Sequence, residues 1–307
     1  MYADIAFQQK IGDQETLTYK IPDKLKDQIK PGHLVVLPLR NNLVTGLVWN
    51  LHDNKPSFNT QEIQGICNPE PVLTAIQIDL AKFICEHYFT PLFKVLKLFI
   101  PARIFKAKPM RLREKEEIIP KKIGLKKLTA SQQKAFDMIE GPAKPTEQKN
   151  STKTAGKTDS QSDFAKNKNQ EITPTNKFLI HGITGSGKTE IYLHLAKKHL
   201  DNNEQVLILV PEISLTPQTV TYFESRLQIK AAVIHSKLAE GEKYKTWQDI
   251  HSNKKSLVIG SRSSTFSPFN NLGLIIMDEE HEFSYKQDQS PRYLTHTVTE
   301  HLSHLAT

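Results

Sequence analysis

Cysteine is nearly absent: Cys67 and Cys85 are all that 307 residues contain, and they form no C-x-x-C pair. On that count neither a disulfide framework nor a zinc site is indicated, and a reducing compartment is the simple expectation. No apolar run approaches the 18 residues of a membrane span, and the N-terminus MYADIAFQQK lacks the charged-then-apolar design of a signal peptide. The chain therefore reads as soluble and cytoplasmic, with no membrane partner, and the Asn150-Ser151-Thr152 sequon carries no meaning there.

A third scarcity is local. Residues 141–177 hold one aromatic, Phe164, among many Lys, Thr, Ser, Asn and Gln. Such a stretch cannot bury enough surface to offset the entropy of ordering, so it reads as a disordered polar loop.

What the chain has instead is 38% hydrophobic residues, enough for two domains, and a formal charge of +8 that is concentrated rather than spread. Within 101–127 ten Lys/Arg face only Glu114, Glu116 and Glu117. That stretch reads either as a solvated linker or as a strip touching phosphates.

The eight residues Gly182 to Thr189, GITGSGKT, fit G-x-x-x-x-G-K-[ST]. Gly182, Gly185 and Gly187 let the backbone bend with its N–H groups inward, and a helix from Lys188 adds its positive end. Lys188 is placed to reach β- and γ-phosphates and Thr189 to ligate Mg²⁺. Phe178-Leu179-Ile180 reads as the buried strand before the loop, with Ile191, Leu193, Leu195, Ala196 and Leu200 as the apolar face of the helix after it. A second element, LGLIIMDEEH at Leu272 to His281, looks like a buried parallel strand whose carboxyl end opens into an active site. Asp278 is the expected metal-binding carboxylate, and Glu279 the group that orients and deprotonates water.

Along the chain, strand-like runs at Tyr2 to Phe7, Leu17 to Ile21, His33 to Leu39 and Val44 to Trp49 precede helical patterns at 74–88 and from Pro91 to Leu98. Phe83, Tyr88, Phe89 and Phe93 read as core in preference to a base-stacking platform. A helix at 128–140 has Thr129 or Ser131 as N-cap. From 178 onward, strands at 178–181, 206–211, 231–235, 256–260 and 272–277 alternate with helices near 188–200, 217–228 and 241–252. That alternation predicts an α/β fold with a mainly parallel sheet, helices on both faces and ligands at the carboxyl ends of strands.

The runs GITGSGKTEIYL, LVPEISLTPQ, HSKLAEGEKYKTW, IGSRSSTFSPFNNLGLIIMDEEH and SYKQ with Pro291-Arg292-Tyr293 resemble, in order and spacing, the primosomal protein N′ (PriA) family of superfamily 2 replication-restart helicases. Through Tyr19-Lys20-Ile21-Pro22, Pro31-Gly32, Gly46-Leu47-Val48 and 88–101 the likeness extends upstream. It implies an N-terminal DNA-binding domain over 1–101, a basic linker over 102–127 and one RecA-like ATP-binding lobe over 128–307. By resemblance the activity is that of a DNA-dependent ATPase and 3′–5′ helicase, with ATP and Mg²⁺ as cofactors and no zinc. Its partners would be forked or single-stranded DNA, a primosome loader and single-strand-binding proteins.

Position by position, the resemblance implies that Gln132 contacts adenine and that Gly182, Thr184, Gly185, Ser186, Gly187, Lys188, Thr189 and Glu190 surround the phosphates. His281 would couple nucleotide to DNA. Pro211, Glu212, Thr216, Ser261 and Arg262 would follow the DNA backbone, with Lys286 and Arg292 in an aromatic-rich loop beyond. The pocket for a DNA 3′ end departs from the family, with Leu17-Thr18-Tyr19, Pro38-Leu39-Arg40 and Gln64 at the matching positions. The second lobe, with an arginine finger worth roughly 10³ to 10⁵ in rate, is missing, so poor hydrolysis by this chain alone is expected. A non-catalytic nucleotide- and DNA-binding module, or half of a split enzyme, is the alternative.

Overall fold

The computed structural model describes residues 1–105, 121, 123–141, 177–183 and 185–306. Most of the basic stretch and nearly all of the polar loop thus lie outside the described residues, as does Thr184.

Two sheets organise the chain. The first is antiparallel, in the order β2-β1-β4-β3-β5, from β1 (Tyr2–Ile11), β2 (Gln14–Lys20), β3 (Leu34–Leu39), β4 (Asn42–His52) and β5 (Gly65–Ile66). Gly12, at φ +60°, turns the first hairpin, and Arg40 takes φ +56° in the second. Gly46 has no room for a side chain: a Cβ there would come within 2.3 Å of Ile5 Cγ2.

Helices α1 (Ala75–His87) and α2 (Leu92–Phe99) follow. Thr74 opens α1 with a capping box, its hydroxyl accepting from the Gln77 N–H while the Gln77 carboxamide accepts from the Thr74 N–H.

The second sheet is parallel, in the order β7-β8-β6-β9, from β6 (Gln205–Leu209), β7 (Ala232–Ile234), β8 (Leu257–Gly260) and β9 (Leu272–Met277). Around it run α3 (Ala130–Glu140), α4 (Lys188–Asp201), α5 (Pro217–Leu227), α6 (Glu240–His251) and α7 (Thr295–Ala306). Every residue of β6 is buried, as a central parallel strand requires.

The strand expected at 178–181 does not form. A strand exists only through ladder bonds to a neighbour, and β9 is paired on its β6 edge alone among the described residues. Phe178 and Leu179 are 45% and 76% exposed, so only Ile180 of that run packs against the core.

The two sheets are joined by one apolar cluster. It runs from Ala6, Leu34 and Leu47 through Ile84, Leu96 and Phe99 to Leu207, Phe266, Val298 and Leu302. Polar side chains pin the same contact. The Gln77 amide donates to the Phe266 carbonyl at 3.0 Å, the Trp247 indole to Phe99 at 3.1 Å, and His251 Nε2 to Pro71 at 3.0 Å. Burial holds the His251 pKa below its usual value, so the ring is neutral with its proton on Nε2. Phe83 stacks on His301 of α7 with ring centroids 3.8 Å apart.

Candidate nucleotide site

The glycine-rich loop is followed immediately by α4, whose cap is Gly187 in the left-handed region at φ +86°. The loop closes on itself through the Ser186 N–H, which donates to Ile183 at 3.1 Å. Lys188 lies across it, Nζ donating to the Gly182 carbonyl at 2.7 Å. Gln132 reaches the same loop from α3. Its carbonyl oxygen caps the Thr129 N–H at 2.8 Å while its amide donates to the Gly187 carbonyl at 3.1 Å. A capping box and a loop contact thus come from one side chain.

The acidic strand end meets this loop. The Asp278 N–H extends the β6 ladder by donating to Leu209 at 2.9 Å, and the chain then breaks sharply at Glu279, where φ is +46°. Burial, reinforced by the negative charge of Glu279, pushes the Asp278 carboxyl above the usual carboxylate range. The Glu279 N–H, the Tyr192 hydroxyl and the Lys188 charge oppose that shift. Lys188 and Asp278 are therefore electrostatic neighbours. Tyr285, buried one turn beyond, donates its hydroxyl to the Asp278 carbonyl at 2.7 Å, and its own carbonyl accepts from the Thr295 hydroxyl.

This donor set fits a magnesium triphosphate. A hydroxyl (Thr189) and two carboxylates (Asp278, Glu279) are hard oxygen ligands suited to Mg²⁺, and a lysine with a helix N-terminus suits phosphate. The left-handed backbone at 187, φ +86°, favours glycine, and a Cβ there would displace the Gln132 amide, 2.3 Å away.

Glu190 is a correction. Its carboxylate is buried and engaged away from the loop, accepting from the Lys126 N–H at 2.7 Å and lying 3.6 Å from Arg226 Nη1. Arg226 in turn donates to the Gly124 carbonyl at 2.9 Å and stacks over Tyr222. This ion pair straps residues 123–127 to α4 and α5. His281 is 68% exposed and 3.8 Å from Glu279.

The residues assigned to DNA fall on the loops beyond the strand ends. Pro211 precedes a short turn in which Glu212 accepts from the Ser236 hydroxyl, and Thr216 caps α5 by accepting from the Thr219 N–H at 3.2 Å. Ser261 is buried. Arg262 braces the loop after the acids, donating to the carbonyls of Ser284 at 2.9 Å and Lys286 at 2.6 Å. Lys286 and Arg292 are exposed, the latter donating from Nε to Asp288.

Sequence reasoning missed Tyr192, Tyr285 and Arg226. Tyr192 was within reach, since it stands four residues after Lys188 and so on the same helix face. Tyr285 donates to a backbone carbonyl, which leaves no trace in a sequence, and Arg226 meets Glu190, 36 positions away, only once the chain is folded.

Comparison with known proteins adds two family models in tandem. The 3′DNA-binding domain (3′BD) of PriA matches residues 5–101, and the type III restriction enzyme res subunit matches 125–304, more than half of the chain. Among curated proteins, the replication restart protein PriA of Rickettsia prowazekii is 34% identical over 277 residues, covering 90% of this chain and 37% of the relative. That of Helicobacter pylori is 35% identical over 279 residues, covering 91% and 38%. The Bacillus subtilis protein reaches 57% over 116 residues, 38% of this chain and 14% of the relative. The chain thus spans less than half the length of the relatives it matches. Since the two models follow one another as a DNA-binding and a helicase-type domain, and the PriA likeness runs through both, the chain belongs to the PriA replication-restart family.

Proposed function

We propose that this chain binds ATP with Mg²⁺ between the glycine loop and the acidic end of β9, and binds DNA across the N-terminal sheet and the loops beyond the strand ends. In the cell it serves, in the cytoplasm, as the nucleotide-binding part of a DNA-dependent ATPase and 3′–5′ helicase at stalled replication forks. Primosome loaders and single-strand-binding proteins are its protein partners there. The observation that carries this reading is that α4, headed by Lys188, packs against β9, which ends in Asp278, with the Tyr192 hydroxyl of α4 bonded to the Asp278 carboxyl.

The roles follow from chemistry. Lys188 exchanges its Gly182 carbonyl for phosphate oxygens, a charge-assisted bond in place of a neutral one. Loop N–H groups and the head of α4 hold the remaining phosphate charge. Bound Mg²⁺ supplies neutralisation of the charge that develops on the phosphoryl oxygens. Glu279, partly exposed, accepts the proton of an attacking water. Gln132 lies beside the loop, where a base edge can reach its carboxamide.

The test is binding of a fluorescent ATP analogue with and without Mg²⁺, followed by ATP turnover with forked DNA and the C-terminal part of a relative supplied in trans. Lys188→Ala should weaken analogue binding about 10- to 150-fold, the worth of a hydrogen bond to a charged group. Mg²⁺-independent binding, or turnover indifferent to DNA under every condition, would sink the proposal.

A further inference from the structure

Helix α1 ends in a geometry that favours glycine and contains phenylalanine. Tyr88 is its C-cap, and the next residue, Phe89, takes φ +46°. The Thr90 N–H then donates back to the Cys85 carbonyl at 3.1 Å, the long hydrogen bond of a Schellman cap. Glycine dominates this position because a Cβ in the left-handed region crowds the following carbonyl. Burial does not offset the strain here, since Phe89 is 92% exposed. By contrast Phe83, Tyr88 and Phe93 are all partly buried, as the sequence leads one to expect of core.

The turn that carries Phe89 is held on several sides. The Thr90 hydroxyl donates to the Tyr88 carbonyl at 3.0 Å, and the Leu92 N–H donates to the Glu15 carboxylate at 3.1 Å. The Tyr88 hydroxyl accepts from the Leu294 N–H at 3.2 Å. Glu15 belongs to β2, near the tip of the first hairpin, and Leu294 leads into α7 in the helicase-type part. Leu294 also pairs with Lys286 in an isolated antiparallel bridge, which ties the turn to the loop after the acids. An aromatic ring with its backbone fixed thus faces water at the seam between the antiparallel sheet and the lobe.

We propose that Phe89 is a stacking platform for an unpaired nucleobase of DNA crossing this seam. A base of any identity presents a π-face, so one rigid exposed ring provides sequence-blind affinity. Backbone strain kept without a packing return is characteristic of binding positions. The inference rests on the DNA-binding reading given above and names one contact within it.

The test sets stability against binding. Phe89→Gly removes the left-handed strain and should leave the protein melting at or above the wild-type temperature. It should also weaken binding of a single-stranded oligonucleotide about 5- to 150-fold and abolish quenching of a 2-aminopurine placed in it. Phe89→Trp should restore binding and quenching. Wild-type affinity in Phe89→Gly would overturn the platform, and so would a lowered melting temperature with loss of binding, since the ring would then be structural. If the wild-type protein itself shows no salt-sensitive oligonucleotide binding, the DNA reading fails instead.

Discussion

Replacing Glu190 by alanine leaves a guanidinium stranded inside the protein. The side chains of Arg226 and Glu190 are 5% and 8% exposed, so water cannot take the place of the lost partner. Breaking a buried pair from one side costs about 3–5 kcal/mol, a large share of the roughly 5–15 kcal/mol that holds a domain folded. The 3.6 Å separation is longer than a direct hydrogen bond, so the coupling is chiefly coulombic. Backbone contacts then separate the two single variants. Glu190→Ala also deprives the Lys126 N–H of its acceptor and belongs at the upper end of the range. Arg226→Ala leaves that bond in place and belongs at the lower end. Arg226→Ala combined with Glu190→Ala should cost less than the two single variants summed, by about 2 kcal/mol or more, because no lone charge remains buried. Urea unfolding followed by circular dichroism, on the wild type, both single variants and the double one, measures the cycle. Additivity within about 0.5 kcal/mol would refute the coupling. Under conditions where Glu190→Ala stays folded, nucleotide affinity should still fall, since the 123–127 strap leads directly to Thr129 and Gln132 at the loop.

Asp278→Asn should make the nucleotide-free protein more stable at neutral pH while abolishing its Mg²⁺-dependent stabilisation by ATP. A carboxyl whose folded pKa is raised favours the fold below its unfolded pKa, and that contribution is lost as pH rises through the folded value. Melting curves from acid to neutral pH check the sign, and a lower nucleotide-free melting temperature for the variant would contradict it. Gly187→Ala should cost about 1–2 kcal/mol for its left-handed backbone and should also weaken ATP-analogue binding by displacing the Gln132 amide, both read by parallel unfolding and binding titrations. Gln77→Ala, which unpairs the buried Phe266 carbonyl and the Thr74 N–H together, should destabilise by about 2–3 kcal/mol in chemical denaturation.

Much of this architecture is visible in the residue pattern, for identifiable reasons. The runs Tyr2 to Phe7 and Val44 to Trp49 fall inside β1 and β4, whose alternate residues feed two apolar clusters, Ile5, Phe7 and Val48 on one side and Ala6 and Leu47 on the other, so both runs are largely apolar. Leu272 to Met277 announces β9 because five of its six residues are apolar and a parallel strand covered by helices carries apolar side chains on both faces, although Leu272 and Ile276 alone are buried. The pattern misleads where composition and partners diverge. Phe178-Leu179-Ile180 has the composition of a strand, but pairing is not a property of three residues, and among the described residues no ladder receives them. Helix α7 was unseen because THTVTEHLSHLA mixes threonine and histidine into its face and buries only Val298 and Leu302 among its large apolar side chains. The short β5 carries too little sequence to signal itself. At the site, lysine, threonine and the acids are legible because phosphate and metal chemistry restrict residue type. Glu190 is not, because a carboxylate beside a phosphate loop and one buried against an arginine are the same letter. Phe89 misleads in the other direction, since an apolar residue next to a helix is ordinarily core.

The hydrophobic cluster shared by the two sheets bears on how the chain tolerates being severed. A chain severed between its two parts would still hold Ile84, Leu96 and Phe99 seated among Phe266, Val298 and Leu302. The two pieces would travel together as a nicked but intact particle, and either one prepared alone would expose a greasy face built for the other.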